Sequence, residues 1–272
     1  MQQFQQEMDV IGNNIANVNT TAFKSSRVEF ADSFSQTYQA SSAGDGVVSN
    51  TAALQVGTGV TTSAIRNLYN QGAVARTNAP TDLVVSGAGF FVVRDPVNNS
   101  QFVTRAGDFR LDESGRLITN TGLRVEGFAD GGLSTVGDIV VDATGAPATA
   151  DPTATLISFR IDREGKVNVR LSDGTEFVRG QVLLQNFRDP QSLVKEGANL
   201  YSGQTAAGPL AAASAPGSNG LGRIESGALE LSNVDLANEF ASLITTQRAF
   251  QASARIITTS DEMLQELVNL KR

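Results

Sequence analysis

Histidine and cysteine are both absent from the 272 residues. Their absence removes the imidazole base, the thiolate nucleophile, every disulfide and the usual nitrogen and sulfur metal ligands, so Ser-His-Asp, Cys-His and zinc chemistry are excluded. Positive charge is scarce as well. Lys and Arg number 21 against 28 Asp and Glu, a net charge of −7, and the cations are scattered singly along the chain. Such spacing gives no basic stripe to neutralise phosphates, which argues against a nucleic-acid partner and disfavours anionic membrane surfaces. No apolar run approaches the roughly 18 residues of a spanning helix, so no membrane insertion is expected. The first basic residue is Lys24, too late for the charged start of a cleavable secretory signal.

The chain is long enough to bury a core without cross-links, as one large domain or two modest ones. Its hydrophobic content of 40% with 26 Gly and 7 Pro is that of a folding sequence. Both ends carry a helical seam. Phe4, Met8, Ile11, Ile15 and Val18 follow steps of four and three, placing one narrow apolar row on a helix. The same alternation links Leu236, Phe240, Leu243, Gln247, Phe250, Ala254, Ile257, Asp261, Leu264 and Val268. Ser232 with Asp235 three residues later reads as a capping pair, and no Gly or Pro follows up to Arg272. This long helix either packs on its own domain or forms a coiled-coil seam whose partners include other chains.

Between the ends the period falls to two. Leu83 to Val93, Gln101 to Thr104, Phe109 to Leu111, Arg116 to Thr119 and Leu123 to Phe128 read as one antiparallel meander. Leu156 to Ile161, Lys166 to Leu171, Thr175 to Val178 and Gln181 to Asn186 read as a second. Residues 129–155 bridge the two as a loop, with one short strand at Asp138 to Val141. The segments Phe109–Leu117 and Phe159–Val167 echo each other as strand, Gly-ended turn and basic residue; shared turn chemistry alone is sufficient to produce this. The expected division is a helix and asparagine-rich motif over 1–34, a linker over 35–53, a central antiparallel β domain over 54–205, a second linker over 206–231 and the long helix over 232–272. The fold class is mainly β with α-helical termini.

Little in the sequence resembles a reaction site. Asp112, Glu113, Asp162 and Glu164 fall in turns, where carboxylates cap or are solvated. Gly57-Thr58-Gly59 and Gly87-Ala88-Gly89 lack the third glycine and following helix of a phosphate cradle. Gly87 and Gly89 instead mark a bulge or close backbone approach. No catalytic, cofactor-binding or metal-ligating residue is assigned, and no enzyme activity is expected. The unusual segment is Ile11 to Lys24, with Asn13, Asn14, Asn17 and Asn19 amid apolar residues. Asparagine is poor inside a helix, so either the helix ends there in a capped turn or the amides have fixed partners in a packed polar seam between subunits.

That segment, MDVIGNNIANVNTTAFK, resembles the N-terminal motif of the axial proteins of the bacterial flagellum, the rod and hook proteins. The resemblance continues through Gln55–Val60, Asn70-Gln71-Gly72, Thr81-Asp82-Leu83, Ser86–Val93 and Thr104-Arg105-Ala106-Gly107-Asp108-Phe109. It resumes at Gly220–Gly222, Gly227-Ala228-Leu229-Glu230, Ser232-Asn233-Val234-Asp235-Leu236 and Thr246-Gln247-Arg248-Ala249-Phe250. It implies a non-enzymatic structural subunit, without cofactor, that self-assembles into a helical tube. The terminal helices would pair as a coiled coil in the inner wall, with the β domain outside. It further implies export through the flagellum's own channel, with neighbouring rod, hook and junction proteins, the export apparatus and an assembly cap as partners. Gly127-Phe128, Asp235 and Asn199–Gly203 lean toward the hook members, which transmit torque; the short 129–155 stretch and overall length lean toward the distal rod. The hook reading is taken first, the distal rod as its alternative and a secreted β-rich adhesin last. Family members normally carry about a dozen small and apolar residues before the position of Phe4, so a truncated or late-assigned start is expected.

Overall fold

The computed structural model describes residues 1–41, 51–148, 150–210 and 212–270. Two compact units are present: one formed by the chain up to Ala16, Ser26–Leu68 and the segment from Asp235 onward, the other by Asn17–Ser25 and Tyr69–Val234. The first opens with α1 (Gln2–Ala16), β1 (Ser26–Asp32), β2 (Ser35–Gln39), β3 (Leu54–Gly57) and β4 (Val60–Asn67). Strand β1 pairs antiparallel with β4 from Ser26 opposite Asn67 to Asp32 opposite Val60, with a bulge at Glu29 and Phe30. Strand β2 pairs with β3. The expected linker over 35–53 therefore begins with a strand, and its residues 42–50 lie outside the described residues. Every residue of β2 and β3 is exposed, so the ribbon has no buried face to impose the alternation by which a strand is read.

The second unit holds β5 (Val74–Arg76), β6 (Leu83–Ser86), β7 (Phe90–Arg94), β8 (Gln101–Thr104), β9 (Arg110–Leu111) and β10 (Leu117–Ile118). After these come β11 (Arg124–Phe128), β12 (Val136–Asp138), β13 (Leu156–Ile161), β14 (Lys166–Leu171), β15 (Glu176–Val182) and β16 (Leu184–Gln185). The unit closes with β17 (Val194–Gly197), β18 (Leu200–Ser202), the one-turn helix α2 (Gln204–Ala207), β19 (Arg223–Ser226) and β20 (Ala228–Glu230). Its main sheet runs β13-β14-β15-β11-β7-β8-β18-β17, antiparallel throughout, while β19 pairs with β6 and β20 with β5.

Strand β7 explains the uninterrupted Phe90-Phe91-Val92-Val93 run. Successive side chains of a strand point to opposite faces. Phe91 and Val93 enter one apolar cluster with Leu83, Val125 and Val167, and Phe90 and Val92 enter another with Val103, Phe187 and Tyr201. A strand covered on both faces has no polar positions to alternate. The expected continuous strand over Leu83 to Val93 is two strands, broken where Gly87 and Gly89 adopt φ of 114° and 131°. A Cβ on Gly87 would lie 3.0 Å from Gly222 Cα, the close backbone approach expected there.

The expected linker over 206–231 contains β19 and β20, and Ile224, Ala228 and Glu230 are buried. Both strands are too short to show a period. The echoed segments fold alike. Asp112 Oδ1 accepts from the amides of Ser114 and Arg116, and Asp162 Oδ1 from those of Glu164 and Lys166, at 2.8–3.0 Å.

The first unit is completed by α3 (Leu236–Leu270), 35 residues or about 52 Å of helix. Its cap is Asp235, whose Oδ1 accepts from the amides of Ala237 at 3.0 Å and Asn238 at 3.3 Å. Ser232 Oγ accepts from Val234 instead, one turn too early to be the expected cap.

Candidate assembly site

Helix α1 packs on α3, β1 and β4 within the first unit. Asn14 organises that contact. Its Nδ2 donates to Ser26 O at 2.8 Å and to Glu239 Oε1 at 3.2 Å, while its Oδ1 accepts from Ser26 N at 3.0 Å. A side-chain amide has a donor and an acceptor group to satisfy, and this one, 2% exposed, uses both. Burial pushes the Glu239 carboxyl above its ordinary range, opposed by the hydrogen bond from Asn14. The helix ends at Ala16, within the asparagine segment, and the fixed partners of Asn14, Ser26 and Glu239, are residues of the same chain. Asn17 then holds a turn, its O accepting from Thr20 N and its Oδ1 from Thr20 Oγ1, both at 3.1 Å. Asn13 and Asn19 are exposed.

The apolar row of α1 is brought together over Phe4, Met8, Ile11 and Ile15, with Ile11 buried and the others half-buried. Val18 lies beyond the helix end, in the turn, and drops out of the row. On α3 burial covers Glu239 in the first turn, the middle of the helix and Ser260. Leu243, Ala249, Phe250, Ser253 and Ala254 are half-buried around the buried Thr246. Leu236, Phe240, Ile257 and Leu264 of the expected row are exposed, as are Gln247 and Arg248. For Ile257 and Leu264 the physical reason is length. A 15-residue α1 covers about 22 Å of a helix more than twice as long. Beyond Ala254, Ile256, Met263, Leu267 and Val268 join Ile257 and Leu264 as an exposed apolar surface.

A second constellation, not read from the sequence, lies inside the β unit. Lys24, Arg105 and Glu230 are 1%, 5% and 1% exposed. Lys24 Nζ donates to Glu230 Oε1 at 2.6 Å and to Asn70 O at 2.7 Å. Gly72 N donates to the same Oε1 at 2.8 Å, and Arg105 Nε to Glu230 Oε2 at 3.0 Å. The remaining Arg105 nitrogens donate to the carbonyls of Val85, Gly87 and Gly89. Burial holds Lys24 below the ordinary lysine range, against the pull of Glu230. Asn233 adds to the clasp, its Oδ1 accepting from Ser25 N and its Nδ2 donating to Asn70 O.

Each charge here is paired and multiply hydrogen-bonded, the condition under which burial of ions is tolerated. The arrangement ties residues 21–25 to the chain before α3, and it fixes two glycines. A Cβ on Gly72 would lie 2.1 Å from Leu231 O, and one on Gly107 would lie 1.7 Å from Leu83 O. Lys24, Asn70-Gln71-Gly72, Arg105-Ala106-Gly107 and Glu230 all belong to segments that carried the flagellar resemblance. No local signal links them: Lys24 has no glycine beside it, Asn70-Gln71-Gly72 carries no charge, and only Arg105 stands near a crowded glycine, Gly107.

No group of three or more Asp or Glu among the described residues is placed to hold a metal ion. Among the described residues no helix is long and apolar enough to cross a membrane.

Three family models match the chain: the flagella basal body rod protein over residues 1–24, the flagellar hook protein FlgE/F/G D1 domain over 84–169, and the flagellar basal body rod FlgEFG protein C-terminal region over 225–270. The chain is 41% identical over 272 residues to the flagellar basal-body rod protein FlgG of Bacillus subtilis, covering 100% of this chain and 96% of that protein. It is 34% identical to the FlgG of Caulobacter vibrioides, over 98% and 94% of the two. To the flagellar hook protein FlgE of Borreliella burgdorferi it is 26% identical over a 438-position alignment, 100% of this chain and 97% of that protein. The crystal structure of Helicobacter pylori flagellar hook protein FlgE2 matches at a TM-score of 0.24 and 14% identity, over 66% of this chain and 47% of the other. The chain belongs to the flagellar rod and hook family of structural, non-enzymatic proteins that form part of the bacterial flagellum.

Proposed function

We propose that the chain is a subunit of the distal rod of the flagellar basal body. The observation that carries this reading is length against identity. Rod relatives align end to end with the chain at 34–41% identity, whereas the hook relative needs 438 positions to align with 272 residues. A hook protein thus carries a large amount of sequence with no counterpart here. The hook reading drawn from Gly127-Phe128, Asp235 and Asn199–Gly203 gives way to its alternative, and family membership removes the adhesin.

In this reading copies of the chain assemble into a helical tube, the terminal helices pairing as a coiled coil in its inner wall and the β unit facing outward. The exposed apolar surface of α3 beyond Ala254 supports such a role, because a contiguous apolar surface of this kind marks an interaction site. Subunits reach the tube through the flagellar export channel and join neighbouring rod, hook and junction proteins. The experiment is deletion of the gene and complementation with the chain. Cells without it should make basal bodies that stop before the distal rod and carry no hook. Complete rods with defective hooks in the deletion strain would favour the hook assignment instead.

A further inference from the structure

Although cations are scattered singly in the sequence, the fold of the β unit gathers five of them. Arg76, Arg160 and Arg163 line a cleft of about 730 Å³ floored by Ile161, Ile224 and Ala228. Arg163 also lines the adjoining cleft of about 510 Å³, with Lys166 and Arg223. Among the described residues Arg76, Arg163 and Arg223 make no ion pair, and Arg160 meets only the exposed Glu176, at 3.8 Å. The acidic residues present are largely engaged. Asp162 Oδ1 is held by the turn amides and Glu164 pairs with Lys166 at 2.6 Å; Glu225 lines the first cleft.

The opposite end of the same hairpin is net acidic, Arg170 there lying 3.9 Å from Glu176. Strands β13 and β14 run from the turn at 162–165 to a tip where Asp151 N donates to Asp173 Oδ2 at 2.9 Å, bringing two exposed carboxylates together. Thr153 and Thr175 amides donate to these carboxylates and hold both below the ordinary range, so the tip stays ionised well into acid. Six residues of β14 at about 3.3 Å each separate the two ends by about 20 Å. One sheet edge therefore carries a basic end and an acidic end.

We propose that the Arg76–Arg160–Arg163 cleft receives the Asp151–Asp173 tip of a second copy of this chain, a head-to-tail contact between β units in the assembled tube. The proposal rests on the rod reading for the existence of the tube and adds the contact. Complementary ends on one subunit make a heterologous interface, which propagates into a helical assembly when its rotation does not close a ring. In a protein of net charge −7, such placement also keeps unlike charges facing across the contact and rejects the wrong register.

The test uses the full chain in three forms: unaltered, Arg160→Glu with Arg163→Glu, and Asp151→Arg with Asp173→Arg. Sedimentation velocity at low salt should show association of the unaltered chain that weakens at 0.5 M salt, on the order of the screening expected of exposed charges. Each variant alone should associate at least tenfold more weakly. An equimolar mixture of the two should recover association, because each altered end then faces its complement. Circular dichroism melts report whether each variant is folded, and Arg160→Gln with Arg163→Gln, which adds no charge, should give a smaller loss. A monomeric unaltered chain, a variant that associates normally, or a mixture that fails to recover would overturn the contact. Binding of the cleft to an anionic glycan in place of a second copy would overturn it too. Normal motility with Arg160→Glu and Arg163→Glu, in a species where deletion removes the distal rod, would reject the contact and leave the rod reading standing.

Discussion

With Lys24 and Arg105 both bonded to it below the surface, the Glu230 carboxylate cannot be neutralised without stranding two cations. Glu230→Gln should therefore cost about 3–5 kcal/mol of β-unit stability, the range for breaking a buried ion pair from one side. Lys24→Met should cost less, because Glu230 keeps Arg105 and the Gly72 amide. Urea melts of the two variants rank the costs, and equal losses would contradict a Glu230-centred arrangement. Glu239 offers a pH test. Its carboxyl is raised above the ordinary 4.5 by burial, so the folded state binds a proton more readily than the unfolded one. Stability from this group is then fully present below the unfolded value and falls as pH rises through the folded one. Glu239→Gln keeps an acceptor for Asn14 and removes the charge. It should leave the first unit at least as stable at pH 7 and flatten its stability profile just above pH 4.5, measured by amide hydrogen exchange. The sequence carried these residues without revealing their partners. Lys24 and Glu230 lie 206 positions apart, and no local period links them.

At the scale of elements, β7 and the turns were legible because their signals are local. A strand buried on two faces is an uninterrupted apolar run, and a turn needs Asp and Gly at fixed offsets. Phe90→Asp should abolish the cooperative melt of the β unit, since it places an unpaired charge among Phe187, Tyr201 and Tyr69. The helices were legible in type and illegible in extent of burial. A four-three step says that one face is apolar; it does not say how much of that face a shorter helix will cover. Leu243→Asp with Phe250→Asp alters the covered middle of α3 and should loosen α1 while sparing the β unit. In the unaltered monomer, trypsin should cut early at the exposed Arg255, and assembly should protect that site. A melt of the β unit that collapses in the double variant would place α3 in its core. The exposed ribbon of β2 and β3 and the short β19 and β20 escaped notice because neither burial pattern nor length distinguishes them from linker.

For the whole molecule, two compact units match the economy of an assembling subunit: one rich in unpartnered helix surface, one with a closed β core. Family membership was legible from motifs spread along the chain, several of which converge at Glu230. The choice between rod and hook was legible in chain length alone, and Gly127-Phe128, which leaned toward the hook, occupies an internal strand position. Gly127 sits against Gln181 O and the Ile139 side chain, a purely internal role. The central claim is that this chain builds the distal rod, and immunogold electron microscopy of isolated hook–basal bodies, with antibody raised against the β unit, tests it most directly. The account predicts label confined to the rod below the hook; label along the curved hook with an unlabelled rod would contradict it.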